Sequence, residues 1–370
     1  MNSINYLNKS NNSKKIIPIF VPHRGCPNDC VFCNQKKITG KTNNNIDKNY
    51  VVSVIEDYLK TRDKYSDLAY FGGSFTAIDI DLQLELLEIA YHYKKMGVFD
   101  NIRISTRPDA INDEILKIQK KYGVTIIELG IQSLDDDVLK KSNRGHSVED
   151  SIKASKLIKE YGFTLGHQVM PGLPGSSMQN DIDTCKKSIE LKPDIVRIYP
   201  TLIIKETELE NMYKENKFSP LTLENAVNLS AYIYSLYTVN NINVIRIGLQ
   251  NTDTINEEND VVSGPFHPAF RQLVEERLYL NSIIYNLREK KLNESIAINA
   301  NKNLMSYIVG HGKKNFNCLK ERFNLKRIYL HEIEDINNID IYDDLNLVTK
   351  INKEDIFKEF IKIEESKLCF

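Results

Sequence analysis

Cys26-Pro-Asn-Asp-Cys30-Val-Phe-Cys33 sets three cysteines at C-x3-C-x2-C spacing. The stretch follows an apolar run, Ile16-Ile-Pro-Ile-Phe-Val21, which reads as a short buried strand. The cysteines therefore fall on the loop leaving that strand, and a short loop aims three thiolates at one point. Soft sulfur ligands suit iron–sulfur clusters, so three thiolates hold three corners of a [4Fe–4S] cube. The fourth iron is then open to a small chelating molecule. Two other readings of the same spacing stand beside this one. The thiolates hold structural zinc with His23 as fourth ligand, or they are unpaired or disulfide-forming cysteines.

The rest of the composition narrows the class. With 370 residues the chain has room for one large α/β domain and a smaller module. Charged residues at 27% and apolar residues at 41% are ordinary for a globular protein, and a net charge of −1 advertises no polyanionic partner for the molecule as a whole. No apolar run approaches the roughly 18 residues of a membrane span. Met1 to Lys15 is polar and Asn-rich, unlike a secretory signal, so a cytoplasmic protein is expected. Cys185, Cys318 and Cys369 are scattered and read as inert residues. Residues 1–15 read as a flexible tail. Its charges Lys9, Lys14 and Lys15, with Arg24 beyond, suit a solvated tail or a phosphate contact.

From Ile16 to about Leu249, apolar strands alternate with helical patterns. Strands are expected at 16–21, 68–71, 101–105, 125–131, 164–169, 195–198 and 243–248. Amphipathic helices are expected at 47–60, 81–95, 109–121, 147–161, 178–190 and 221–240. Such alternation builds a parallel sheet with helices outside, and right-handed crossovers curl it into a barrel or part of one. Chemistry in such barrels sits at the C-terminal ends of the strands. Unusual residues cluster there. Phe71-Gly-Gly-Ser-Phe-Thr76 follows the second strand, where paired glycines let backbone approach a ligand. Ser105-Thr-Arg-Pro-Asp109 follows the third. Asp109 reads as a helix N-cap, and Arg107 as a substrate ligand or a partner for a carboxylate. Then come Glu128-Leu-Gly-Ile-Gln-Ser-Leu134 and Asn143-Arg-Gly-His146, with His146 read as structural. The fifth strand ends in His167-Gln-Val-Met-Pro-Gly-Leu-Pro-Gly175, a turn stiffened by two Pro-Gly breaks. His167 reads as a packed core histidine. Arg197-Ile-Tyr-Pro-Thr-Leu-Ile-Ile-Lys-Glu-Thr-Glu-Leu209 follows the sixth, with Tyr199 and Lys205 placed to reach a substrate. Ser263-Gly-Pro-Phe-His-Pro-Ala-Phe-Arg271 opens a helix to Leu287, where His267 caps the helix or faces the site.

These motifs resemble those of a known family. C-x3-C-x2-C with Phe32 before the third cysteine looks like the signature of radical S-adenosylmethionine (SAM) enzymes. The resemblance implies that Cys26, Cys30 and Cys33 hold a [4Fe–4S] cluster whose open iron chelates SAM. It also implies reductive cleavage to a 5′-deoxyadenosyl radical and a partial TIM-like (β/α)6 barrel of α/β class. The Gly-Gly-polar stretch of the family binds the methionyl amino group, which matches Gly72, Gly73 and Ser74, although most members carry Glu at the third place. The Gln-Ser and Arg-x-His stretches are similar to those of oxygen-independent coproporphyrinogen oxidases. There the corresponding positions contact SAM, which implies that role for Gln132, Arg144 and, at an acidic position of those enzymes, Gln168. Arg144 suits a bidentate clamp on a carboxylate, and Gln132 offers both donor and acceptor. Phe32 would line the cluster and abut the adenine. Met170-Pro-Gly-Leu-Pro-Gly175 and Tyr199-Pro-Thr-Leu are very like the catalytic subunit of Elongator. True Elongator subunits space their first two cysteines much farther apart, so the likeness is to an offshoot.

A second module is expected from about 290 to 370, after a barrel and extension at 16–289. Elongator subunits continue into an acetyltransferase domain, but no Gly-rich acetyl-CoA loop is visible here, and that activity is not expected. The pattern around Gly310-His-Gly-Lys313 looks like a KH domain, in which a GxxG loop clamps nucleic-acid backbone. Lys313 stands where the second glycine belongs, so the module is a degenerate KH-like one. Residues 301–330 hold seven basic residues against Glu321, and residues 331–370 hold eleven acids against five lysines, so one basic face is localised in a neutral whole. The expected function is a radical SAM enzyme acting on RNA, by base modification of tRNA or rRNA, with 301–330 contacting the RNA and flavodoxin or ferredoxin as reductant. Tyr199, Lys205 and Arg107 are the candidate catalytic residues. A small-molecule or porphyrin-type substrate, or an RNA-binding protein with a structural or sensory cluster, are the alternatives.

Overall fold

The structure, a computed structural model, describes residues 15–21, 29–34, 46–249, 260–334 and 336–368. Cys26, His23 and the tail up to Lys14 lie outside the described residues. Seven strands form one parallel sheet in the order β1 (Ile16–Val21), β2 (Tyr65–Gly72), β3 (Phe99–Thr106), β4 (Val124–Gln132), β5 (Thr164–Val169), β6 (Ile195–Ile198) and β8 (Asn243–Ile247). Lys15, assigned above to the tail, already belongs to this sheet's edge, its carbonyl accepting from the Ser66 N–H at 2.9 Å. The expected six units are six strand-to-strand crossovers, and β8 adds a seventh strand.

The crossovers carry α1 (Lys48–Leu59), α2 (Ile80–Lys95), α3 (Asp113–Lys121), α4 (Asp136–Lys141) with α5 (Val148–Glu160), α6 (Met178–Glu190), and α7 (Glu208–Lys214) with α8 (Leu223–Val239). Short polar residues start them. Asp47, Asp79, Asn112, Asp135 and Thr222 each accept from a first-turn N–H, and Ser147 and Ser177 form full capping boxes. Asp109 is not a cap. The chain first makes a single 3-10 turn, Pro108–Ala110, and the helix begins four residues late behind Asn112. The short helices α4 and α7 escape a periodicity reading because neither completes two turns.

Strand alternation separates two environments. Tyr70 points outward, its hydroxyl donating to the Leu86 carbonyl on α2 at 2.7 Å. His167 likewise faces the helices, with Nε2 3.0 Å from Ser155 Oγ on α5 and Nδ1 2.8 Å from Ser188 Oγ on α6. Burial pushes its imidazole down to about 3, so it packs as a neutral ring. Residues one place along, including Gly166 and Gln168, face the barrel interior. At the mouth, β7 (Ile203–Ile204) pairs antiparallel with β9 (Val261–Ser263) to form a two-stranded flap.

Beyond α9 (Phe270–Leu287), residues 295–352 form a second sheet in the order β11 (Arg327–Glu332), β10 (Ser295–Ala300), β12 (Asn338–Asp343), β13 (Asn346–Asn352). Helices α10 (Lys302–Val309), α11 (Lys314–Phe323) and α12 (Lys353–Leu368) belong to it. Its apolar face continues the barrel's core: Ile296, Ile298, Ile341 and Phe360 share one cluster with Leu229, Val274 and Ile283. Polar contacts fix the docking. The Asn315 amide donates to the Glu276 carbonyl (3.0 Å), the His311 N–H to Glu276 Oε2 (2.8 Å), and Tyr279 stacks on Tyr307.

Candidate active site

The described part of the cysteine loop is held from two sides. On one side the Val31 N–H donates to the Ser142 carbonyl (3.1 Å), the Asn143 amide to the Asp29 carbonyl (2.8 Å), and Arg144 Nη1 to Cys30 Sγ (3.4 Å). On the other, the Leu209 N–H donates to the Val31 carbonyl (2.7 Å), and the Asn34 amide to the Lys205 carbonyl (2.9 Å). A turn closed by the Cys33 N–H on the Cys30 carbonyl (2.9 Å) keeps the two described cysteines together. Cys30 is buried and Cys33 half-buried. Phe32 packs into a satellite cluster with Ile203, Leu209, Met212, Phe218 and Val262, between the loop and the flap.

Arg144 and Gln132 converge beside this loop. Arg144 Nη2 donates to the Gly130 carbonyl at 2.8 Å. A Cβ on Gly130 would lie 2.8 Å from Arg144 Nη2 and 2.9 Å from Gln132 Nε2, so only glycine leaves them room. Gln132 adopts a positive φ of 62°, rare outside glycine, at the very end of β4. Both side chains are buried, yet Arg144 Nε and Gln132 Oε1 have no hydrogen-bond partner among the described residues. Orphaned buried atoms are costly and call for a partner, an ordered water or a bound ligand. One donor on a guanidinium and one amide acceptor suit a molecule carrying a carboxylate and hydroxyl groups, so the residues present fit SAM. His146 is buried nearby, its imidazole pushed down to about 3 by burial and then by the Arg144 charge. It is neutral at ordinary pH.

The Ser74 side chain ties neighbouring loops together. Its hydroxyl lies 2.9 Å from Thr106 Oγ1 and accepts from the Arg107 N–H at 3.0 Å, and Thr76 Oγ1 is 2.5 Å from the same threonine. The three hydroxyls stitch the β2 and β3 loops together. The Gly73 N–H is also spent, on the Val21 carbonyl at 3.0 Å, while Gly72 takes a φ of 103° that an L side chain resists. The carbonyls of Gly72 and Gly73 are what the stretch can offer to a donor such as an amino group. Arg107 is only 2% exposed and is gripped by both Asp109 oxygens, at 2.9 and 3.0 Å. The carboxylate pairing is present, which also explains why Asp109 does not cap.

Below the mouth lies an ionic ladder that the sequence reading missed. Arg103 donates to Asp67 Oδ2 and Glu128 Oε1, each at 2.6 Å, and Arg197 grips both oxygens of Glu128. Burial pushes the Glu128 carboxyl up, but Arg197 and Arg103 outweigh it and hold it below the ordinary range. Gly166 is obligatory beside it, because a Cβ there would meet Glu128 Cγ at 2.8 Å. Arg197 also donates to the Tyr199 hydroxyl (3.3 Å) and sits 5.5 Å from the Phe71 ring. The signal was present: a charge in each of four apolar strands, every ion pair stepped two positions along the strand register. Tyr199 and Gln168 are half-buried at or facing the interior, whereas Lys205 lies on the flap, its N–H donating to the Asp260 carbonyl at 2.9 Å. The Pro-Gly turn after β5 is pinned by Asp181, which accepts from the Gly172 N–H (2.9 Å) and the Ser176 hydroxyl (2.7 Å). Burial pushes that carboxyl up to about 6. Just ahead of the helix that begins at Phe270, His267 Nδ1 accepts from the Ala269 N–H at 3.1 Å, and the helix itself starts without a side-chain cap.

Two family models match the chain. Residues 20–187 match the radical SAM superfamily, and residues 193–279 match the radical SAM C-terminal domain. The chain belongs to the radical SAM superfamily. As a radical SAM enzyme its cofactors are a [4Fe–4S] cluster and S-adenosylmethionine. It is 40% identical over 190 residues to a tRNA uridine(34) acetyltransferase of Methanocaldococcus jannaschii, covering 46% of this chain and 35% of that one. It is 34% identical over 151 residues to Elongator complex protein 3 of Saccharomyces cerevisiae, covering 40% of this chain and 27% of that one. An uncharacterised protein of Methanocaldococcus jannaschii is 30% identical over 227 residues, 67% of its length. Among solved structures, the archaeal Methanocaldococcus infernus Elp3 with an N-terminal deletion superposes with a TM-score of 0.58 at 25% identity, over 75% of this chain and 68% of that one. The radical SAM enzyme spans 26–40% of the length of three tRNA uridine(34) acetyltransferases it resembles.

Proposed function

We propose that this radical SAM enzyme cleaves SAM reductively at the barrel mouth and acts on RNA, with a uridine of tRNA as the substrate class. The observation that carries the cofactor site is the pair of orphaned buried atoms on Arg144 and Gln132, beside Cys30. Cys26, Cys30 and Cys33 would hold the cluster. Arg144 would bind the methionyl carboxylate, the Gly72 and Gly73 carbonyls the amino group, and Gln132 and Gln168 the ribose. Ser74 would act only as the stitch between loops, and Phe32 as the packing that seats the cysteine loop against the flap. Bound together, the cluster and SAM supply one-electron reductive cleavage. The chain's own part is to bury the reacting centre under the flap and fix its orientation. Tyr199, with a hydroxyl held by Arg197, and Lys205 on the flap would face the substrate, and Arg107 would keep the mouth rigid.

RNA is supported by the likeness to proteins named for tRNA uridine modification and by the basic stretch 301–330. The loop 310–314 is exposed apart from Gly310 and carries Lys313 and Lys314. Lys313 takes a φ of 63°, so the position expected for glycine keeps glycine's conformation with a lysine in it. Residues 290–370 would thus act as an RNA-binding module docked on a barrel of residues 16–289, in a cytoplasmic protein reduced by flavodoxin or ferredoxin. The test is anaerobic 5′-deoxyadenosine release by reconstituted, dithionite-reduced enzyme, with and without tRNA. Release stimulated by tRNA is expected. Release indifferent to RNA moves the substrate to a small molecule, and an intact cluster with no release removes the cleavage reading.

A further inference from the structure

The second sheet has one face against the core and one face bare. On β10 the residues Ile296, Ile298 and Ala300 are buried, so Ser295, Ala297 and Asn299 look outward. Registers place the neighbours. Ala297 pairs with Tyr329 on β11 and with Tyr342 on β12, and Tyr342 pairs in turn with Leu347 on β13. One row across the outer face therefore reads Tyr329, Ala297, Tyr342, Leu347. The next row reads His331, Asn299, Asp340, Lys350, and Ser295 pairs with Arg327. Tyr329 is 46% exposed and Leu347 53%.

The small side chains of β10 make this face a trough. Its floor is Ser295, Ala297 and Asn299, and a tyrosine stands on each side. With strands about 4.8 Å apart, the two tyrosines stand about 10 Å from each other. Arg327 reaches along one wall, its Nη1 3.4 Å from the Tyr329 hydroxyl. In the floor, Asn299 Oδ1 has no donor among the described residues.

We propose that this outer face is a stacking platform for unpaired nucleotides of RNA. The inference rests on the RNA reading above and names which part of the RNA the module takes. Aromatic rings on an open four-stranded sheet stack bases whatever their identity. Arg327 and Lys350 against Asp340 give the trough a net positive charge that suits a phosphate backbone. A protein partner fits less well, because two rings and one leucine among hydrogen-bonding residues offer little of the apolar core a stable protein interface needs.

The chain contains no tryptophan, so Tyr329→Trp creates a single fluorescent reporter inside the trough. Full-length protein with that substitution is titrated with a mixed-sequence 12-nucleotide single-stranded RNA. Saturable quenching is expected. By fluorescence anisotropy of labelled RNA, the Tyr329→Ala, Tyr342→Ala double variant binds at least tenfold more weakly. The Tyr329→Phe, Tyr342→Phe pair keeps wild-type affinity, because stacking needs the ring and not the hydroxyl. Circular dichroism melting checks that the variants fold. If the double-alanine variant binds as wild type while tRNA still stimulates 5′-deoxyadenosine release, the platform is overturned and the RNA reading stands. If no RNA binds and none stimulates release, both fall. Self-association that the alanine pair abolishes would overturn the platform in favour of a second copy of the chain.

Discussion

A single hydrogen-to-methyl change reaches the proposed SAM pocket. At Gly130 a Cβ would press on both Arg144 Nη2 and Gln132 Nε2. Gly130→Ala is therefore expected to weaken SAM binding at least tenfold by equilibrium dialysis while the cluster's absorption spectrum persists, since the atoms nearest the new Cβ belong to Arg144, Gln132 and Thr106 and not to a cysteine. The ionic ladder makes a different demand. Arg103 is the common partner of Asp67 and Glu128, all three buried. Arg103→Leu leaves two carboxylates without their shared cation, and breaking such a buried set costs about 3–5 kcal/mol. Urea denaturation at pH 7 is expected to show a loss of that order, and an undiminished midpoint would contradict it.

At the scale of elements, the strands were legible because each is an apolar run bounded by turn residues, and β1, β5 and β6 begin and end where the pattern does. Helix starts were legible where a cap was followed at once by periodicity, as at Ser177 before α6. Asp109 misled because Arg107 claims its carboxylate, so the true cap, Asn112, comes three residues later. The flap strands β7 and β9 were illegible, being two and three residues long and defined only by each other. Of the proposed site, Arg144 and Gln132 were singled out by motif. The ladder was passed over because a charge in a strand reads as a solvated edge until its partners on other strands are known. His167 joins three elements, β5, α5 and α6, and its titration tests that joint. Its folded value near 3 lies below the free value of 6.5, so its contribution is complete above pH 6.5 and fades as pH falls toward 3. Glutamine can serve both serines without titrating. The drop in unfolding free energy between pH 7 and pH 5 should shrink by about 2 kcal/mol in His167→Gln.

For the whole molecule, the continuous core has a practical outcome. Ile356 and Phe360 of α12 are buried, Phe357 meets Tyr234 of α8 edge-on, and Glu359 accepts from Asn286 of α9 at 3.0 Å. A chain stopped after Asn352 would bare that groove on the barrel helices. It is expected to aggregate on size-exclusion chromatography, whereas trimming before Lys15 leaves a monodisperse protein. No described helix is long and apolar enough to cross a membrane.

The two-sided grip on the cysteine loop also sets a clock. Asn34 meets Lys205 across 171 positions of chain, and Cys30 meets Arg144 across 114. At roughly 5–20 residues per second, a ribosome needs about 10–30 s to deliver the second jaw after the thiols have emerged. During that interval the thiols are nascent-chain cysteines without their final neighbours. Iron delivery thus belongs late in biosynthesis, and oxygen reaching the translating cell would strike before the loop is closed.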